Sequence, residues 1–68
     1  MLTLKAARVA SGLTQKDMAT QLGVSHGTVS LKERNITRTS ISFIKQWYES
    51  CNESGKVLIR DYLRRNFF

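Results

Sequence analysis

The sequence predicts an all-α fold, a compact bundle of four to five short helices. Three observations carry this expectation. Apolar residues recur at three- and four-residue steps in successive segments. The first four segments each begin at a hydroxyl side chain suited to a helix N-cap, and the first two stop at glycine. Proline, which interrupts helices, is absent from all 68 residues.

The first helix is expected over Leu2 to Ser11. Leu4, Ala7 and Val9 are its apolar residues, Thr3 suits its cap, and Gly12 stands where a helix end takes a left-handed residue. Thr14-Gln15-Lys16-Asp17 has capping-box spacing, and Met18, Ala19 and Leu22 continue a second helix to Gly23. Ser25 caps a third, with Val29 turned inward, running to about Glu33. Only Gly23 and Val24 separate these two helices, so they must turn sharply against each other. That is the outline of a helix-turn-helix over about Thr14 to Glu33.

Asn35 to Thr39 is polar and reads as a loop. Ser40 caps a fourth helix through Ser50, with Ile41, Ile44, Trp47, Tyr48 and Cys51 at helical steps. Asn52 to Gly55 reads as a break. Lys56 to Phe68 reads preferably as a helix, although Val57-Leu58-Ile59 and the terminal Phe67-Phe68 also suit a strand.

Composition narrows the chemistry. A chain of this length holds one domain, residues 1–68, with a modest core and no room for a deep catalytic pocket. No nucleophile–base pair, carboxylate pair or phosphate-binding glycine loop is visible, so no enzyme is expected. His26 and Cys51 are the only histidine and cysteine, so neither a disulfide nor a Cys/His metal site is expected, and no cofactor. Eleven Lys and Arg against five Asp and Glu give a net charge of +6, which favours a polyanionic partner. No apolar run approaches the ~18 residues of a membrane span. The N-terminus lacks a signal-peptide pattern, and the basic residues do not face one continuous apolar stripe. The expectation is a cytoplasmic protein that does not engage membranes.

Gly12-Leu13-Thr14-Gln15, Met18-Ala19, Leu22-Gly23-Val24-Ser25, Thr28-Val29-Ser30 and Glu33-Arg34-Asn35 closely resemble the Cro-like helix-turn-helix family of phage repressors, Cro proteins and bacterial regulators. The resemblance covers about Leu4 to Asn35. It implies a lambda repressor-like DNA-binding domain acting as a transcriptional regulator, with double-stranded DNA as partner. It also implies a homodimer on a near-palindromic operator. Ala19, Leu22, Gly23, Val24 and Val29 are the scaffold of the motif.

The resemblance places the N-terminal residues of the third helix in the major groove. Ser25, His26, Gly27 and Thr28 would enter first, with Ser30, Leu31 and Lys32 further along. His26 is suited to donate to guanine or a phosphate, and Thr28 offers a methyl and a hydroxyl. Gln15 is expected to clamp a phosphate and brace the first recognition residue, with Lys16 beside it. Leu31 and Lys32 reverse the family's usual polar and apolar order. Either the helix is rotated or frayed there, or Lys32 lays its methylenes on the core and sends its amine to a phosphate. Arg34, Asn35, Thr37, Arg38 and Thr39 suit contacts to the DNA backbone. Lys5, Lys45, Lys56, Arg60, Arg64 and Arg65 are assigned to solvent and general electrostatics.

Two further expectations follow from the resemblance and the composition. Arg8 and Glu33 have the family's spacing for an ion pair between the first and recognition helices. Tyr62, Leu63, Phe67 and Phe68 carry enough apolar area for a dimer surface over about residues 56–68, unless they fold back onto Trp47 and the core. The alternative function is a regulator on the same fold that acts mainly through another protein, suggested by Gly27 and Leu31 on the reading face.

Overall fold

The computed structural model describes residues 3–67, apart from the side chains of Thr37 and Phe67. Among these residues every regular element is helical: α1 (Thr3–Ala10), α2 (Gln15–Leu22), α3 (His26–Arg34), a 3₁₀ turn (Ile36–Arg38), α4 (Ile41–Ser50) and α5 (Glu53–Phe67). The expected start at Leu2, the Phe67 side chain and Phe68 lie outside the described residues.

Local chemistry sets most boundaries. Thr14 Oγ1 accepts from Asp17 N–H at 3.0 Å while Asp17 Oδ2 accepts from Thr14 N–H at 3.0 Å, a reciprocal capping box. Ser25 and Ser40 accept in the same way from Thr28 and Phe43 N–H, each at 3.2 Å. Gly12 and Gly23 take φ of 74° and 69°, the left-handed conformation that a side chain would strain.

Four boundaries differ from expectation. Thr3 lies inside α1 rather than capping it. The segment Asn35–Thr39 contains the 3₁₀ turn, because Asn35 O accepts from both Arg38 N–H and Thr39 Oγ1–H. Helix α3 runs one residue further, to Arg34, and is not frayed. The expected break at Asn52–Gly55 is instead the first turn of α5: Asn52 Oδ1 accepts from Gly55 N–H at 3.2 Å. The strand alternative for the last segment is therefore overturned, since α5 is continuous to Phe67.

Leu4, Ala7, Met18, Ala19, Val29, Ile44, Trp47, Cys51 and Ile59 form the core. Trp47 is fully buried, and its indole N–H donates to Leu4 O at 3.1 Å, so its one polar atom is satisfied. Burial pushes the Cys51 thiol up, only partly offset by Ser11 and Lys56, so it is a neutral packing group. The most extensive helix pairing is α1 on α5. Ser11 Oγ–H donates to Ala7 O and accepts from Asn52 N–H, tying the end of α1 to the start of α5. Gly55 is buried at this contact, and a Cβ there would meet Ala7 O at 2.5 Å.

That contact yields a prediction, because two effects oppose each other. Alanine favours a helix over glycine by about 1 kcal/mol. Overpacking costs about 1–3 kcal/mol, and the obstructing Ala7 oxygen is backbone that cannot swing aside. Gly55→Ala should therefore lower the melting temperature, by roughly 4–8 °C per kcal/mol of net loss in a domain of this size.

The capping box yields another. Hydrogen bonding from Thr14, its backbone N–H first and its side chain second, holds the Asp17 carboxyl below its ordinary 3.8. The folded state prefers the ionised form. Its contribution is thus present above the ordinary value and lost as pH falls through the lower folded value. Melting temperature followed from pH 5 downward should fall more steeply for wild type than for Asp17→Asn.

Candidate nucleic-acid interface

Helices α2 and α3 meet at the Gly23 turn, where Val24 N–H donates to Ala19 O at 3.0 Å and closes α2. Ala19, 6 % exposed, lets the two helices approach. Leu22 and Val24 are half-buried against the core. Of α3 itself only Val29 and Glu33 are buried.

Glu33 is the polar centre of the motif. Its Oε2 accepts from Arg8 Nε–H at 2.5 Å, and its Oε1 accepts from Gln15 Nε2–H at 2.8 Å. Arg8 also donates from Nη1 to Leu13 O at 2.8 Å, fixing the loop before α2. The ion pair is nearly dry, with side chains 9 % and 3 % exposed. Gln15 Oε1 continues the chain to His26 Nε2 at 2.7 Å. One hydrogen-bonded line thus runs from α1 through α3 to the first residue of each helix in the motif. The sequence pattern anticipated the ends of this line but not the Gln15–Glu33 bond at its middle, which joins residues 18 apart.

The exposed face of α3 carries His26, Gly27, Leu31 and Arg34, with Ser30 half-buried between them. These residues form one arc of the helix, and the buried Val29 and Glu33 lie next to its His26 edge. Gly27 has open space where a Cβ would stand. Ser25 and Thr28 share a hydroxyl hydrogen bond of 2.9 Å at the cap. Leu31 is 50 % exposed, so the reversed order is real and the helix is regular there. Lys32 is half-buried with its ammonium 5.5 Å from the Phe43 ring centroid, a cation–π contact to α4.

Around this face, Lys5, Gln15, Lys16 and His26 line a shallow groove between α1 and the start of α2. Lys5 is exposed on α1, one turn before Arg8. Arg34 at the end of α3 and Asn35 and Arg38 beyond it are exposed, and Asn35 Nδ2–H donates to Leu31 O as part of the helix end. Thr39 is buried and spends its hydroxyl on Asn35 O, so it does not offer a backbone contact. The side chain of Thr37 lies outside the described residues.

Charge is unevenly satisfied. On α5, Arg60 pairs with Glu53, and Arg64 and Arg65 pair with Asp61. Lys5, Lys16, Arg34 and Arg38 make no ion pair among the described residues. Lys32, Lys45 and Lys56 likewise make no ion pair among the described residues, so cations without an acidic partner lie on α4 and α5 as well as around α2 and α3. At the other side Leu63 packs on the core and Tyr62 lines a cleft with Thr3, Ala6 and Ile36, so both are half-buried within the chain. Val57, 51 % exposed, is the large apolar residue that α5 leaves open, beside Leu58.

Comparison with known proteins gives one match. Residues 4–55 match the helix-turn-helix family of the Cro-like type, whose members are DNA-binding transcriptional regulators. No curated protein and no solved structure matches the chain significantly.

The buried pair makes a direct prediction. Removing one partner leaves the other charged in a dry site, at a cost of about 3–5 kcal/mol. Small domains have roughly 5–15 kcal/mol in total. Arg8→Ala should therefore lose a large part of the thermal stability without removing a base contact; an unchanged melting temperature would contradict this.

Proposed function

The chain belongs to the Cro-like helix-turn-helix family, and from that premise we propose that it is a repressor of phage or prophage type, binding a near-palindromic operator as a homodimer through the major groove. On this reading the N-terminal half of α3 enters the groove. His26, Gly27, Thr28, Ser30 and Leu31 approach base edges, while Gln15, Lys16, Ser25, Arg34, Asn35 and Arg38 contact the backbone. Its place of action is the cytoplasm or nucleoid of a bacterial host.

The observation that carries this reading is the exposed arc of α3, backed by the Arg8–Glu33–Gln15–His26 line and flanked by cations with no acidic partner among the described residues. Helix α5 packs chiefly on α1 and α4, so pairing through it would leave α2 and α3 free. Val57 and Leu58, with the segment over residues 56–68, are the proposed dimer surface. A two-fold dimer would set the two α3 helices about 34 Å apart, one turn of DNA.

The test is a mobility shift of the full chain on DNA flanking its own coding sequence, repeated across salt concentrations. We expect a specific, cooperative shift. With about four phosphates neutralised per subunit, log K should fall with log salt at roughly 0.9 per phosphate. Weak, sequence-blind binding that a second protein sharpens would instead favour a regulator acting through protein contacts, the reading that exposed Leu31 supports.

A further inference from the structure

We propose that Glu33, held by Arg8 and acting through Gln15, fixes the tautomer of His26. The proton sits on Nε2, and Nδ1 is left as an acceptor for an amino-bearing base edge, adenine or cytosine. The base preference rests on the reading that α3 enters the major groove; the tautomer does not.

The argument follows donors and acceptors along the line. Arg8 has only donors, and the Glu33 carboxylate facing it has only acceptors. One oxygen is taken by Arg8 Nε–H, so the group meeting the other must be a donor. An amide's nitrogen and oxygen are told apart by their partners. Here the partner is unambiguous: Gln15 must turn its NH₂ to Glu33. Its oxygen then faces His26 Nε2 at 2.7 Å, and an oxygen can only accept. His26 Nε2 must carry the proton.

In a neutral imidazole the other nitrogen is then an acceptor. His26 is exposed, and Nδ1 has no protein partner among the described residues. In the major groove adenine N6 and cytosine N4 donate, whereas guanine and thymine present acceptors to a ring nitrogen. A neutral His26 held this way therefore selects adenine or cytosine. The guanine contact expected from the sequence would need a second ring proton. Glu33 and Arg8 touch no base on this account; they are positioning residues.

His26 is the only histidine, so its ring nitrogens can be read without ambiguity by long-range proton–nitrogen NMR on the full chain. At a pH where the ring is neutral, wild type should show the proton on Nε2. In Glu33→Gln, Arg8 takes the new amide's oxygen and its NH₂ turns to Gln15. The Gln15 amide then flips, and the His26 proton should move to Nδ1. Gln15→Lys, at a half-exposed position, replaces the acceptor by a donor-only group and should produce the same switch even if Glu33→Gln fails to fold.

A wild-type proton on Nδ1, or a folded variant of either kind that keeps it on Nε2, overturns the relay. On operator DNA, replacing the amino-bearing base opposite His26 by guanine or thymine should weaken wild-type binding roughly tenfold; a preference for those bases overturns the selection rule. A tautomer that switches as described in a protein that binds no DNA would sink the groove reading and leave the relay standing.

Discussion

Glu33 is a carboxylate in the interior of a very small domain, and its demand for donors organises the motif. It is 3 % exposed, and α3 buries only one apolar side chain beside it, Val29. A single valine can hold a helix close but cannot fix its rotation, because apolar packing is non-directional. A buried charge is different: unpaired it is costly, and it is satisfied only in one geometry. Arg8 from α1 and Gln15 from α2 supply that geometry, so the rotation of α3 about its axis is set by two hydrogen bonds to one side chain.

The rest of the fold divides around this point. Helices α1, α4 and α5 form a platform held by ordinary means: Trp47 fills the centre, Gly55 lets α5 approach α1, and Ser11 bridges them. Lys32 belongs to this side as well, since its stem and ammonium lie toward Phe43 on α4. The exposed salt bridges of α5 contribute little to stability. Their consequence is electrical: they set acidic groups against three arginines of α5, whereas Lys16, Arg34 and Arg38 around α2 and α3 make no ion pair among the described residues.

What was legible in the sequence follows the same division between local and distant causes. Thr14, Ser25 and Ser40 act on N–H groups three residues away, and Gly12 and Gly23 act on their own backbone, so helix starts and stops could be read directly. The Arg8–Glu33 pair and the scaffold residues were legible through the family pattern. Asn52 and Gly55 misled because the composition of a turn is also that of a cap followed by a close helix contact. Only the position of α1, far away in sequence, decides between them. The same holds for Lys5, Tyr62 and Leu63, whose surroundings are assembled from distant segments.

The reading face is sparse: a ring, a glycine, a hydroxyl, a leucine and an arginine. A net charge of +6 supplies attraction to any nucleic acid but no discrimination between sequences. On the proposed reading, discrimination must then come from the few polar atoms whose donor or acceptor identity is settled before DNA arrives. A freely turning histidine can offer either nitrogen as either partner and so rejects little. A histidine locked through Gln15 to a buried carboxylate presents one nitrogen with one role, and the restriction itself is the source of selectivity. The buried ion pair would then connect folding to recognition, because the bonds that set the rotation of α3 also set what its first side chain is able to accept.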